Sequence, residues 1–142
     1  MTLTAIVIDD SPLQQMATCK LIENHPNIQL VDFFNDPIKG LAAVNSLRPD
    51  VLFLDIEMPE LNGFDILNFI EYDCQVILNS TRSQFALHAF QYDHVKDYLV
   101  KPMNKSRFEK SIDKVLKNQV LEKSAKFATT EYVWIERLPK AS

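Results

Sequence analysis

Several short segments of this chain are apolar at nearly every position, and each is followed by a polar or charged residue. The clearest are L-T-A-I-V-I at Leu3–Ile8, which precedes Asp9 and Asp10, and V-L-F-L at residues 51–54, which precedes Asp55. Strands of this kind are buried on both faces, as in parallel sheets that helices cover on both sides. This feature predicts an α/β fold.

Helix-length segments separate these apolar runs, and Ser11-Pro12 and Asp36-Pro37 each place a capping side chain before a proline at the first helical position. The pattern predicts strands at residues 3–8, 28–34, 51–54, 75–78 and 98–100, each followed by a helix, with the fourth helix at residues 84–92. Right-handed crossovers leave few topologies. A flavodoxin-like, doubly wound (βα)5 arrangement with parallel sheet order 2-1-3-4-5 fits five units of this length.

Apolar residues at helical spacing predict which face of a helix packs on the sheet. For the first helix these residues are Leu13, Met16, Ala17 and Leu21. For the last helix, which Asn104 caps, they are Phe108, Ile112, Val115 and Leu116.

The composition argues against several functional classes. The net charge of −4 provides no overall basic field for nucleic acid. The only glycines, Gly40 and Gly63, are too few for a G-x-G-x-x-G fingerprint or a P-loop. With no bilayer-length apolar run and no basic region before the first strand, we expect a cytoplasmic protein without a membrane partner. Cys19 and Cys74 lack metal-binding spacing, so free thiols are expected.

Charged and hydroxyl side chains follow four of the predicted strands: Asp9 and Asp10, Asp55, Ser80 and Lys101. Ligands of open α/β sheets bind outside these carboxyl ends, so the side chains should meet there. Three adjacent carboxylates repel one another unless a cation balances them, and a hard divalent ion such as Mg²⁺ prefers oxygen ligands. With a lysine and a hydroxyl beside the ion, the set suits a phosphoryl group. The Asp55 carboxylate would then be the nucleophile that forms an aspartyl phosphate.

Four segments that carry these residues resemble the signature of the response regulator receiver domain, in the CheY-like superfamily. They are I-V-I-D-D-S, V-L-F-L-D-I-E-M-P-E-L-N-G, V-I-L-N-S-T and D-Y-L-V-K-P, in the family's order. The resemblance implies a receiver domain at residues 1–119 that is a regulatory phosphoacceptor and not an enzyme. A sensor histidine kinase would phosphorylate Asp55 in a reaction that depends on Mg²⁺.

The resemblance also implies a role for each site residue. The ligands of Mg²⁺ would be oxygen atoms of Asp9, Asp10, Asp55 and, through its backbone carbonyl, Glu57. The residues that respond to the phosphoryl group would be the switch hydroxyl Ser80, Lys101 and the aromatic switch Tyr98. The peptide bond before Pro102 would be cis. Thr81, where the family often has alanine, and the side chain of Glu57 are expected to tune the lifetime of the phosphorylated state.

The segment F-A-L-H-A-F at residues 85–90, followed by D-Y-L-V-K-P, is similar to receivers of the LytR/AlgR type, which usually precede a LytTR DNA-binding domain. This similarity implies control of transcription, with DNA as a partner only through a C-terminal output domain. Residues 120–142 are interpreted as a helix extension that breaks at T-T, residues 129–130, followed by a strand Y-V-W-I at residues 132–135. They could be the linker and first strand of such a domain, or an extension that packs on this domain or on a second copy.

Other functions stay open as alternatives. Four aromatic residues near the fourth helix could pack locally, or could form a partner or homodimer surface that changes on phosphorylation. They are Phe85, Phe90, Tyr92 and Tyr98. A stand-alone or degenerate receiver that acts as a protein-binding module is the second candidate, although the acidic set and Lys101 favour the switch. A haloacid-dehalogenase-like phosphohydrolase needs D-x-D after its first strand and a cap insertion. Here the first strand ends in D-D-S, and no insertion is long enough to form a cap.

Overall fold

A five-stranded parallel sheet forms the centre of the computed structural model, which describes residues 2–136, with side chains described for residues 2–125. The strands are β1 (Leu3–Ile8), β2 (Ile28–Phe34), β3 (Val51–Asp55), β4 (Gln75–Ser80) and β5 (Val95–Val100). Their order is β2-β1-β3-β4-β5, and every neighbouring pair is parallel. The predicted flavodoxin-like (βα)5 fold and its strand order are confirmed.

The helices are α1 (Pro12–Glu23), α2 (Pro37–Leu47), α3 (Gly63–Phe69), α4 (Ala86–Ala89), which follows a 3-10 turn at Ser83–Phe85, and α5 (Lys105–Glu136). The predicted caps are present: the Ser11 and Asp36 side chains accept hydrogen bonds from backbone N–H groups in the first turns of α1 and α2. Asn104 Oδ1 accepts the N–H of Arg107 at 2.8 Å. Within residues 2–136, every helix is too short or too polar to span a bilayer.

The two faces of the sheet pack against different helices. Phe53 stacks on Phe108 of α5, with ring centroids 5.7 Å apart, on the face that α1 and α5 cover. Leu54, the next residue of β3, packs on the opposite face with residues of α2, α3 and α4. Because side chains alternate along a strand, Asp55 shares the α1 and α5 face with Phe53. The sheet thus places the Asp55 carboxyl on the face that α1 and α5 cover.

The buried face of α1 differs from the predicted one. Leu13 and Met16 are 78% and 56% exposed, whereas Gln15 is buried. Gln15 Nε2 donates to the Phe34 carbonyl at 2.7 Å, and its Oε1 accepts from Asn35 Nδ2 at 2.8 Å. The prediction was wrong because hydrophobic spacing ignores hydrogen bonds, which allow a polar side chain to be buried at the edge of the sheet.

Two further boundaries differ from the prediction. The fourth helix is a single turn at Ala86–Ala89, shorter than the predicted residues 84–92. Strand β5 begins at Val95, three residues before the predicted start, and pairs with β4 from Val76 onward. The apolar pattern missed this start because a buried charged residue, Asp97, lies inside the strand.

Asp97 connects β5 to α5. Arg107 Nη1 and Nη2 donate to its two carboxylate oxygens at 2.7 and 2.8 Å. Ser111 and Lys114 also donate to the same carboxylate. Burial alone would raise the pKa of Asp97, but the hydrogen bonds from Arg107 and Ser111 outweigh it and hold the pKa well below its usual range. The strand that carries Tyr98 is therefore fixed to the first turns of α5.

A second polar contact holds α5 further along. Gln75 Nε2 at the start of β4 donates to the Val115 carbonyl at 3.1 Å and to Gln119 Oε1 at 3.0 Å. Asn118 Nδ2 donates to Gln75 Oε1 at 3.0 Å. The start of β4 therefore anchors the fourth turn of α5.

The C-terminal segment also differs from its prediction. Helix α5 continues for 32 residues from Lys105 to Glu136, through the predicted break at residues 129–130 and the predicted strand at residues 132–135. The β propensity of Y-V-W-I depends on a neighbouring strand to pair with, whereas each further helical residue adds a backbone hydrogen bond. Residues 137–142 of the predicted extension lie outside the described residues.

Candidate functional site

Three carboxylates meet at the carboxyl end of the sheet, as predicted. Asp9 and Asp10 follow β1, and Asp55 is the last residue of β3. One carboxylate oxygen from each lies within 4.8 Å of the other two. Asp9 and Asp55 are buried, whereas Asp10 is exposed to solvent. The site thus has a buried negative core with one solvent-facing carboxylate.

Lys101 supplies the positive charge of this cluster. Its Nζ lies 2.9 Å from Asp9 Oδ2 and 3.3 Å from Asp55 Oδ1. It also donates to Gln14 Oε1, at the start of α1, at 2.6 Å. The charged side chains of Lys101, Asp9 and Asp55 are almost entirely buried, so solvent screens their charges little. The Lys101–Pro102 peptide is cis, in agreement with the prediction.

The charge state of Asp55 follows from this surrounding. Burial raises the pKa of Asp55 to about 7. The Lys101 ammonium opposes this rise, but the Asp9 charge and a hydrogen bond with Asp10 add to it. Near neutral pH a large fraction of the Asp55 carboxyl is therefore protonated unless a further cation favours its ionised form.

The donor set fits a hard divalent cation. Carboxylate oxygens are the ligands that Mg²⁺ prefers, and an exposed carboxylate such as Asp10 leaves room for the waters that Mg²⁺ retains. Glu57 N–H donates to Asp55 Oδ1 at 3.3 Å, so the backbone at Glu57 folds back against the acceptor residue. A direct role of the Glu57 carbonyl as a ligand stays a prediction.

Arg82, which the sequence reasoning missed, contacts both predicted switch residues. Its N–H donates to Ser80 Oγ at 3.0 Å, and its carbonyl accepts the hydroxyl of Tyr98. Its side chain forms an ion pair with Glu57, with Nε 3.1 Å from Oε1. The available signal was a basic residue two positions after a strand-end hydroxyl.

The sequence matches the family of the response regulator receiver domain over residues 5–113. The chain belongs to this family. It is the receiver domain of a two-component response regulator, and receiver domains are regulatory phosphoacceptors that bind Mg²⁺ at an acidic pocket.

Several known proteins are similar to this receiver domain. It is 34% identical over 125 residues to an uncharacterized response regulatory protein of Vibrio parahaemolyticus, covering 87% of the chain and 50% of that protein. It is 32% identical over 109 residues to the transcriptional regulatory protein BtsR of Escherichia coli, covering 75% of the chain and 45% of that protein. The chain thus spans about half the length of the curated relatives it matches.

Solved structures share the fold. The response regulator domain of Thermotoga maritima CheB is 26% identical, with a TM-score of 0.69, over 82% of this chain and 96% of that one. The response regulatory domain of Klebsiella pneumoniae mrkE is 25% identical, with a TM-score of 0.74, over 82% of this chain and 97% of that one.

Other predicted residues lie around the receiver site. Thr81 is exposed and lines a cavity of about 190 Å³ between α1 and the loop after β5, into which Lys101 also faces. Of the four predicted surface aromatics, Tyr98 is buried, and Phe85 and Tyr92 pack on the Phe64 ring of α3 with centroids 6.2 and 5.7 Å apart. These contacts support local packing for most of that group, while Phe90 is exposed.

Two further residues of the receiver site were missed. Asn79 pairs in register with Asp55 across β3 and β4 and is 1% exposed. Among the described residues, neither Nδ2 nor Oδ1 of Asn79 has a hydrogen-bond partner. Gly63, at the start of α3, approaches the acceptor so closely that an added Cβ would lie 2.7 Å from the Asp55 carbonyl oxygen. Both residues lie in segments that carry the resemblance, but their contacts depend on tertiary placement and could not be read from the sequence.

Proposed function

We propose that this receiver domain is a switch in which Asp55 accepts a phosphoryl group from the phosphohistidine of a sensor histidine kinase. The observation that carries the proposal is the meeting of three carboxylates and Lys101 at one end of the sheet. A nucleophilic carboxylate, a site for a divalent cation and a fixed ammonium are the groups that phosphoryl transfer needs.

The transfer requires Asp55 in its ionised form. Asp9, Asp10, Asp55 and the Glu57 carbonyl would hold Mg²⁺, which supplies positive charge next to the phosphoryl oxygens when it is bound. A carboxylate oxygen of Asp55 attacks phosphorus in line, the new P–O bond forms, and the P–N bond breaks with its electron pair left on the imidazole. Lys101, already 3.3 Å from Asp55 Oδ1, is within reach of a phosphoryl oxygen.

The response to phosphorylation would pass through Ser80 and Tyr98. The new dianion would offer the Ser80 hydroxyl a strong acceptor for its proton, whereas in its present contact Oγ accepts the Arg82 N–H. Movement of Ser80 disturbs the same loop residue that accepts the Tyr98 hydroxyl. A differential interaction of a few kcal/mol is enough to shift a two-state equilibrium of this kind.

The output of the switch would be transcription. A relative at 32% identity is named a transcriptional regulatory protein, and this chain covers 45% of its length. The similarity of residues 85–90 and of D-Y-L-V-K-P to LytR/AlgR-type receivers supports a LytTR output domain that contacts DNA. Residues 120–142 would then connect the receiver to that domain.

Acetyl phosphate with Mg²⁺, read by intact mass, tests the proposal. The wild type should gain one phosphoryl group, whereas Asp55→Asn and the wild type in EDTA should gain none. Asp113→Asn, an exposed aspartate of α5, is the matched control and should gain the group. Phosphoramidate, whose P–N bond resembles that of phosphohistidine, is the second donor. If the wild type gains nothing from either donor, the proposal fails, and a protein-binding module becomes the better reading.

A further inference from the structure

The Lys101 ammonium contacts three acceptors among the residues whose side chains are described. Its Nζ lies 2.9 Å from Asp9 Oδ2 and 3.3 Å from Asp55 Oδ1, and it donates to Gln14 Oε1 at 2.6 Å. An ammonium carries three N–H donors, so these contacts can engage all of them. The shortest contact is therefore made with a neutral amide, which comes from α1 and not from the acidic set.

Gln14 differs from the two carboxylates in how it responds to a divalent cation. Asp9 and Asp55 belong to the carboxylate set that suits such a cation. With Mg²⁺ bound, their negative charge would be shared between two cations that repel each other, so their attraction for the ammonium would weaken. The Gln14 amide is neutral and lies outside this set, so its hydrogen bond does not depend on that charge. Gln14 is therefore the acceptor that can keep Lys101 in place.

Lys101 has space to turn away from the acidic site. Its side chain lines the cavity of about 190 Å³ between α1 and the loop after β5, together with Gln14, Thr18 and Met103. A lysine side chain that loses its acceptor can sample several rotamers in such a space. Ordering a lysine side chain again can weaken binding by up to about 30-fold. The Gln14 amide, half-buried at the side of this cavity, reduces that cost by holding the ammonium beforehand.

We propose that Gln14 is a positioning residue for phosphoryl transfer, whose amide oxygen keeps the Lys101 ammonium beside Asp55 while a divalent cation occupies the carboxylates. This inference rests on the proposed phosphorylation of Asp55 and gives α1 a part in that reaction. A phosphoryl group on Asp55 brings its own oxygens to the acceptor residue. One of them can replace Asp55 Oδ1 at the ammonium, so the hydrogen bond to Gln14 persists.

Positioning and competition predict opposite results for removal of the Gln14 amide. If the phosphoryl group had to displace Gln14 from the ammonium, loss of the amide would tighten phosphoryl binding. If Gln14 positions Lys101, loss of the amide adds the cost of ordering the lysine, and phosphoryl binding weakens. The Lys101 side chain is only 7% exposed, so its surroundings already restrict part of its freedom. We therefore expect a loss of affinity of about 3- to 10-fold.

Beryllium fluoride, which imitates a phosphoryl group on aspartate, is the probe, titrated into the full chain at saturating Mg²⁺. Gln14→Met removes the acceptor and keeps the length and helix propensity of the side chain. Lys101→Met and the double variant complete a double-mutant cycle. Gln29→Met, at an exposed glutamine of β2, is the matched control. The second readout is the exchange of the Lys101 ammonium protons with water, measured by ¹⁵N NMR with Mg²⁺ and no beryllium fluoride and assigned with Lys101→Met.

Gln14→Met should bind beryllium fluoride about 3- to 10-fold more weakly than the wild type, and its Lys101 protons should exchange faster. In the Lys101→Met background the same substitution should change binding by less than about 2-fold, because the group through which Gln14 acts is absent. Gln29→Met should match the wild type.

Unchanged or tighter binding by Gln14→Met, or an equal loss in the Lys101→Met background, would overturn the positioning role of Gln14. If Lys101→Met does not fold, proton exchange decides between the outcomes, because unchanged exchange in Gln14→Met overturns that role without the cycle. Absence of binding by the wild type would instead overturn the proposed function.

Discussion

Replacing the acceptor, Asp55→Asn, should stabilise the metal-free protein at neutral and alkaline pH. Burial raises the pKa of Asp55 from 3.8 to about 7, so the folded state holds a proton on this carboxyl that the unfolded state releases. The resulting stability is fully present below the unfolded pKa and is lost as the pH rises through the folded pKa. An asparagine does not titrate, so the variant does not lose this stability as the pH rises.

The size of the effect follows from the shift. Each pKa unit corresponds to about 1.4 kcal/mol of unfolding free energy. Between pH 5 and pH 8 the wild type loses stability only over the interval from pH 5 to the folded pKa of about 7. The difference in unfolding free energy between Asp55→Asn and the wild type should therefore grow by about 2 to 3 kcal/mol from pH 5 to pH 8. In this difference, the contributions of groups whose titration the substitution does not change cancel.

Urea unfolding in EDTA at both pH values measures this difference, with Asp113→Asn as the control whose difference from the wild type should stay flat. Addition of Mg²⁺ at pH 8 should restore stability to the wild type and should stabilise Asp55→Asn less, because the cation favours the ionised carboxylate. A difference between Asp55→Asn and the wild type that is the same at pH 5 and pH 8 would refute the reasoning. Asp55 would then be ionised in the folded protein at both pH values.

Three further changes test the packing around the site. Asn79→Leu removes an unsatisfied buried amide and should raise the unfolding free energy by about 1 kcal/mol in urea; a loss would mean that the amide is hydrogen-bonded in solution. Gly63→Ala brings a Cβ against the Asp55 carbonyl and should cost about 1 to 3 kcal/mol and slow the acetyl phosphate reaction; unchanged kinetics would contradict this. Arg107→Leu should cost about 2 to 3 kcal/mol at pH 7. That loss should shrink below about pH 4, because the Asp97 carboxyl of the unfolded chain takes up a proton there while the carboxyl paired with Arg107 in the folded protein stays ionised; a pH-independent loss would contradict the ion pair.

The strand order and the acidic site could be predicted because both depend on local pattern. A strand buried on both faces is apolar at every position, and the residue that follows it in the chain also follows it in space. For this reason the sequence alone places Asp9, Asp55 and Lys101 together. The cap residues Ser11 and Asp36 act on N–H groups two or three positions away, which is also a local relation.

The features that could not be predicted depend on contacts between distant residues. Gln15 is buried because the Phe34 carbonyl and Asn35 satisfy it from another element. Arg82 matters because three residues from two strands and a loop converge on it. The start of β5 was missed because the four donors that neutralise Asp97 lie mostly on α5, beyond any local window.

Helix α5 has a mechanical consequence. Two polar contacts anchor α5 to the sheet: Asp97 of β5 binds its first turns, and Gln75 of β4 binds it as far as Gln119. Both strands end at the acidic site. The part of α5 past Gln119 extends about 25 Å at 1.5 Å per residue. An arm of this length would pivot about the second anchor if the helix tilts on the sheet. A tilt of about 5° at the sheet would displace the end of this arm by roughly 2 Å. A small movement at the acidic site would then be large enough at the end of α5 to change how the helix packs.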